Sequence, residues 1–141
     1  MWDDRVRGIL ALSHVWVLPA LVKAGRRGSV GDAALVLAIG MASVWMHLRE
    51  TKHGLKPQPD WHPRAPAWAL NADRAVATLA ACYFLARRWP LSAAADGPLV
   101  LAAVVAAAFC AAGERTASLP AYTACHLVWH AAMFVILYIV V

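Results

Sequence analysis

The sequence is poor in charged residues, which make up 15% of its 141 positions, whereas 62% are hydrophobic and the mean hydropathy is +0.57. A soluble domain of this size cannot bury so much apolar surface in one core. The apolar residues also occur in long blocks rather than in alternation, which is typical of chains that cross a bilayer. The scarcity of charge therefore favours a single integral membrane domain over residues 1–141.

Cysteine is scarce as well, with three residues that all lie inside apolar runs. An odd number in such positions argues against a disulfide framework. The N-terminal stretch MWDDRVRGIL lacks the basic region and cleavage site of a secretory signal. We therefore expect the mature chain to begin at residue 1.

Basic residues outnumber acidic ones, but they do not form the stripe that a nucleic-acid site needs. The formal net charge is +5, and the Lys and Arg residues stand between the apolar blocks. This placement is typical of loops at a phospholipid surface. We expect these residues to contact the bilayer and no nucleic acid.

Five apolar segments are long enough to be considered as transmembrane helices. They cover residues 8–22, 31–48, 71–88, 98–112 and 119–141. Pro98 and Pro120 stand where a first-turn proline is tolerated, and Asn71 can cap the third helix. The long connection RETKHGLKPQPDWHPRAPAW suits a loop on the headgroups. The sequence therefore predicts an all-α integral membrane bundle of about five helices.

Polar residues inside membrane helices are costly and mark candidate functional sites. Ser43 and His47 are four residues apart and share one face of the second predicted helix; His126 and His130 do the same on the fifth. Asp73 stands at the start of the third helix. In a path of five alternating helices, the second ends and the third and fifth begin at the same membrane surface. All five residues are therefore expected near that surface.

Three neutral imidazoles can hold a catalytic Zn²⁺ that keeps its fourth position for water, and we predict His47, His126 and His130 as the ligands. Zinc lowers the pKa of such a water toward about 7. Asp73 is the right residue type to accept the water's proton, and Ser43 to donate to a developing oxyanion. The H-x-x-x-H spacing is only moderately specific, because it also suits haem ligation, a di-iron site or bonding between helices.

Three other histidines are not assigned to the predicted site. His53 and His62 belong to the long connection, where we expect them to be solvated. His14, beside Ser13 on the first helix, is expected to make a helix–helix hydrogen bond rather than to bind the metal. Tyr122 precedes His126 by one turn, and we expect it to serve packing.

Taken in chain order, Ser43-x-x-x-His47, Asp73 and His126-x-x-x-His130 resemble the signature of the CREST superfamily of membrane hydrolases. That group includes the alkaline ceramidases, the progestin and adipoQ receptors and the haemolysin III-like proteins. The resemblance implies a zinc ion on the three histidines, with Asp73 and Ser43 beside its water. The family typically has seven helices, so this chain would be a shortened form.

The expected function is a zinc-dependent membrane hydrolase that cleaves an amide or ester bond of a ceramide- or phospholipid-like lipid. Its substrate would enter sideways from the bilayer. One alternative is a non-enzymatic receptor or fusion-type protein with a structural zinc. Another is a haem b electron carrier, in which Ser43 and Asp73 would have no role.

Overall fold

The computed structural model describes residues 4–49, 67–90, 92–116 and 118–141, and every element in these ranges is helical. The first predicted segment consists of α1 (Asp4–Leu12), a 3-10 turn (Ser13–Val17) and α2 (Leu18–Arg26). Four further helices follow: α3 (Val30–Arg49), α4 (Ala67–Arg88), α5 (Ala93–Arg115) and α6 (Leu119–Val140). These elements form five long helical segments, so the predicted all-α bundle is confirmed. The predicted surface loop with His53 and His62 lies outside the described residues.

Proline accounts for the 3-10 turn in the first segment. Pro19 has no amide hydrogen, so it cannot donate to the carbonyl of Val15, four residues before it. The Leu18 amide donates to that carbonyl instead, which is the three-residue bond of a 3-10 turn. Successive side chains in such a turn are about 120° apart rather than about 100°. The turn therefore sets the faces on which Ser13 and His14 lie.

Two helices begin earlier than the sequence predicts. α4 starts at Ala67, so Asn71 lies inside the helix, exposed, and does not cap its start. α5 starts at Ala93, so Pro98 stands inside the helix rather than in its first turn. The prediction for Pro120 is confirmed, because it lies in the first turn of α6. Boundaries of this kind depend on local capping, which an apolar pattern does not reveal.

Four of the described segments are long and apolar enough to cross a membrane: Gly8–Arg26, Val30–Arg49, Asp96–Gly113 and Leu119–Val140. α4 has 22 residues and is equally long. It is more polar than the others, since it carries two charged residues near its start and two arginines at its end. The structure therefore supports a helical membrane protein, and the crossing of the membrane by α4 stays a prediction.

The first segment and α6 run in the same direction. Leu10 packs against Tyr122 near their starts, and the Lys23 side chain donates to the carbonyl of Tyr138 near their ends. The Arg27 guanidinium likewise donates to the last carbonyl of the chain. These cations satisfy backbone acceptors that have no partner within the helix.

α3 and α4 run in opposite directions. Asp32, in the first turn of α3, accepts hydrogen bonds from Tyr83, at 3.0 Å, and from Arg87, both in the last two turns of α4. The end of α3 therefore lies beside the start of α4. Gly28, with φ of +68°, closes the turn that precedes α3. This left-handed conformation favours glycine.

Two apolar clusters hold the segments together. The larger is built by the first segment, α3, α4 and α6: Val17, Ala20, Ala24, Val36, Ala80, Phe84, Phe134, Leu137 and Val141. The smaller consists of Leu10 and Tyr122 with their half-buried neighbours. Between the two clusters lie Ser13 and His14 in the first segment, and His126 and His130 in α6.

Candidate metal centre

Four histidines meet between the two apolar clusters. His14 comes from the 3-10 turn, His47 from the last turn of α3, and His126 and His130 from the middle of α6. His47 is 0% exposed, His130 3% and His14 5%, whereas His126 is half-buried. A group of imidazoles packed against one another is a candidate metal site, because the unprotonated nitrogen of an imidazole ring offers a lone pair.

His47 lies close to the other two predicted ligands, His126 and His130, through the same ring atom of each. The Nε2 atom of His47 lies 3.2 Å from Nε2 of His130 and 3.3 Å from Nε2 of His126. Nitrogen ligands about 2.0–2.1 Å from a tetrahedral ion lie about 3.3–3.4 Å from one another. The two distances therefore match the spacing that a common ion would require.

His14 belongs to the same group, which the sequence did not indicate. One ring nitrogen from each of His14, His47 and His130 lies within 4.8 Å of the other two, so these three buried side chains are close enough to bind a metal ion. The ring centroids of His14 and His130 are 4.5 Å apart. His126 adjoins this group through His47, because their Nε2 atoms are 3.3 Å apart.

His14 was expected to bond to another helix, but its hydrogen bonds lie within its own segment. Its Nδ1 atom lies 3.0 Å from the carbonyl of Leu10 and 3.2 Å from that of Ala11, both in its own helical segment. Carbonyls only accept, so Nδ1 carries the proton and Nε2 keeps the lone pair. Nε2 is buried and has no hydrogen-bond partner among the described residues. The expected helix–helix hydrogen bond is therefore not what holds this ring.

The proton of His130 is assigned in the same way. The Ser13 hydroxyl donates to the Leu10 carbonyl at 2.6 Å, and Ser13 Oγ also lies 2.6 Å from Nδ1 of His130. Since the hydroxyl has one hydrogen, Ser13 must accept from Nδ1–H of His130. Nε2 of His130 is then the unprotonated nitrogen. Hydrogen bonds of this type orient the histidine ligands of metal sites.

Ser43 and Asp73, the predicted catalytic residues, are placed at the same end of the bundle as the histidines. Ser43 is buried at 8% exposure, one turn before His47 on α3. Asp73 is half-buried and is the seventh residue of α4, which begins beside the end of α3. The catalytic roles of both residues stay predictions.

Aromatic rings border the histidines. The His126 ring centroid lies 5.2 Å from that of Tyr122 and 4.7 Å from that of Trp129, and the Phe134 ring lies 5.4 Å from His14. Tyr122 is 4% exposed, in agreement with its expected packing role. Aromatic rings in these positions keep water out of the site, and the low polarity strengthens electrostatic interactions between the groups inside it.

An apolar groove of about 450 Å³ runs between the first segment and α3. Its lining is Ala11, Leu12, His14, Val15, Val17, Leu37, Gly40, Met41, Val44 and Trp45. His14 is the one polar side chain in that lining. The first segment packs closely on α3 at Gly40, where an added Cβ would lie 3.5 Å from the side chain of Val17.

Comparison of the chain with family models, with curated proteins and with solved structures returned no match. The resemblance to the CREST signature therefore stays an expectation. Any function must be argued from the geometry of the histidines and their surroundings.

Proposed function

We propose that the protein is a zinc-dependent integral membrane hydrolase that cleaves an amide or ester bond of a lipid. The observation that carries the proposal is the approach of Nε2 of His47 to Nε2 of His130, at 3.2 Å, and to Nε2 of His126, at 3.3 Å. These residues lie on helices that are long and apolar enough to cross a membrane. Imidazole ligands suit zinc, although they also suit other transition metals.

The roles of the side chains follow from their types and positions. Zn²⁺ bound by the histidines supplies Lewis acidity to a water molecule and to a carbonyl oxygen. Asp73, half-buried at the end of the bundle where α3 ends, accepts the proton of the attacking water. Ser43, buried one turn before His47, donates a hydrogen bond to the oxygen that becomes negative.

A lipid substrate is favoured by the surface around the site. The groove beside His14 is lined by apolar side chains of two segments that can cross a membrane. A hydrocarbon chain in this groove would contact mainly apolar side chains, while a polar headgroup could reach His14. Because such a chain would come from the apolar interior of the bilayer, its transfer into the groove would not expose it to water.

A structural zinc is the second candidate. The observation in its favour is burial, since His47, His130 and His14 are each at most 5% exposed, and structural sites have all four ligands from the protein. A haem is disfavoured by the 3.2 Å between Nε2 of His47 and Nε2 of His130. Axial ligands on opposite sides of an iron would be about 4 Å apart, with a porphyrin plane between them.

The proposal is tested by metal analysis and by lipid turnover. Protein purified without chelator should contain about one equivalent of zinc and show no Soret absorbance. Cells that express the wild type should then be compared by lipidomics with cells that express His130→Ala, with His62→Ala as the matched control. A lipid amide or ester should be depleted by the wild type and the control only. Zinc without any lipid change in the wild type would favour the structural role.

A further inference from the structure

We propose that His14 is a metal ligand and that the resting centre has four imidazoles, of which His126 is the one that exchanges with substrate. The inference rests on the proposed metal centre and deepens it. It assigns the permanent ligands to His14, His47 and His130, instead of the three histidines that the sequence pattern selects.

One ion can reach all four rings after a small movement of side chains. His47 and His130, whose Nε2 atoms are 3.2 Å apart, belong to the group of three buried histidines that are close enough to bind a metal ion. An ion bound to this pair has two tetrahedral positions left. His126 already lies at a tetrahedral spacing from His47, at 3.3 Å. The ring nitrogen of His14 is within 4.8 Å, so it must move by at most about 1.5 Å.

His14 has one ring nitrogen in a hydrogen bond and one without a partner. Its Nδ1–H is held by the carbonyls of Leu10 and Ala11, and its Nε2 is buried with no hydrogen-bond partner in the described part of the chain. Burial of a nitrogen lone pair without a partner destabilises the fold, because the lone pair loses its hydrogen bonds to water. A metal ion bound to Nε2 would remove this destabilisation. The carbonyl bonds would meanwhile keep the ring oriented, as they do for metal ligands in general.

One carbonyl organises two of the rings. The Leu10 carbonyl accepts from His14 Nδ1 and from the Ser13 hydroxyl, and Ser13 in turn accepts from His130 Nδ1. This chain of bonds orients two lone pairs with a single backbone group. His14 and His130 are therefore prepared together for the same ion.

His126 is the most exposed of the four histidines. It lies one helical turn nearer to the start of α6 than His130, a shift of about 6 Å along the axis. Its neighbours Tyr122 and Trp129 are rings that can pack against a displaced imidazole. Replacement of His126 by a substrate oxygen therefore disturbs the three buried histidines least. We expect the substrate to enter the coordination sphere on this side.

The test compares His14→Asn with His126→Asn in the purified, zinc-loaded protein. Asparagine retains an N–H donor near the position of Nδ1 and removes Nε2, so each variant loses one ligand with little change of packing. Zinc affinity is measured by competition with a chelator, and the number of imidazoles by X-ray absorption at the zinc edge. His62→Asn is the matched control, and circular dichroism with gel filtration verifies the fold.

The wild type should show four imidazoles. His14→Asn should weaken zinc binding by about a hundredfold or more. His126→Asn should retain zinc within about tenfold, with three imidazoles and one oxygen ligand. Three imidazoles in the wild type would overturn the proposal, and this measurement needs no variant to fold. A loss of zinc in His126→Asn, with retention in His14→Asn, would also overturn it and restore the triad of the sequence pattern.

These outcomes are separate from the fate of the hydrolase proposal. Lipid turnover by a wild type with three imidazoles would leave the hydrolase proposal standing and remove His14 from the centre. Four imidazoles without turnover of any lipid would support His14 as a ligand and contradict the hydrolase proposal.

Discussion

At the scale of single residues, the geometry of the histidine cluster depends on which ring nitrogen carries the proton in His14 and in His130. Ser13 decides this for His130, because its hydroxyl is committed to the Leu10 carbonyl and must accept from His130. The lone pair of His130 is thereby directed away from Ser13. Ser13 therefore orients a proposed metal ligand, which the spacing of the histidines along the chain does not do.

Replacement of Ser13 by alanine should lower metal affinity. Ser13→Ala removes the acceptor for Nδ1–H of His130, so the ring loses its orientation and its preferred tautomer. Loss of such a supporting bond typically costs 10- to 100-fold in metal affinity. Chelator competition on the purified protein measures the change. The control is Thr78→Ala, at an exposed position of α4, and equal affinities in the two variants would contradict the role of Ser13.

Replacement of Asp73 by asparagine should separate catalysis from metal binding. Asn retains the shape of the side chain but not its basicity, and a general base contributes about 10²- to 10⁴-fold to a rate. Asp73→Asn should retain zinc near the wild-type level and lose about a hundredfold or more in lipid turnover. Elemental analysis and a turnover assay measure the two quantities. If the variant loses zinc, Asp73 is a ligand or a structural residue.

At the scale of elements, the 3-10 turn is the feature that brings His14 into the cluster. Along the first segment it lies between Leu10 of the smaller apolar cluster and Val17 of the larger. In a regular α-helix the side chains of Ser13 and His14 would point in other directions relative to Val17. The position of one proline therefore affects the geometry of a site five residues away.

Replacement of Pro19 by alanine should favour a continuous α-helix, because alanine supplies the missing amide donor and is the better helix former by about 3 kcal/mol. We expect Pro19→Ala to retain helix content by circular dichroism but to lower zinc affinity by about tenfold or more. Pro120→Ala is the control, since Pro120 lies in the first turn of α6, where the amide is not needed. A Pro19→Ala variant that binds zinc like this control would show that the turn does not depend on Pro19.

At the scale of the whole molecule, five segments that alternate in direction place the chain ends at opposite ends of the bundle. The first segment and α6 run in the same direction, with Leu10 beside Tyr122 at one end and Arg27 beside Val141 at the other. If all five segments cross the membrane, tags on the two termini should be accessible from opposite sides. Equal accessibility of both tags in intact cells would show that one segment does not cross.

Metal binding should stabilise the whole bundle, because the histidines come from three separate segments. A ligand at a hundred times its dissociation constant stabilises the folded state by about 2.7 kcal/mol, which should raise the midpoint of thermal unfolding by several degrees. Removal of zinc with a chelator should reverse the shift. His47→Asn should show no shift with zinc, whereas Thr78→Ala should respond like the wild type.

The sequence by itself determined the helical class of the protein. Apolar blocks are a local property of the chain, so they can be recognised without the tertiary structure. The i, i+4 spacing of His126 and His130 places both on one helix face whatever the tertiary structure is. For the same reason the pairing of Ser43 with His47 needed no structure.

Only the tertiary structure decided which histidines share the centre and which nitrogen each one offers. His14 enters through a 3-10 turn, and its tautomer and that of His130 are linked through Ser13, which lies 117 residues from His130 in the chain. No local pattern encodes a contact of that separation. The direction of an imidazole ring depends on the hydrogen bonds of its other nitrogen, and those bonds exist only once the first segment and α6 have packed together.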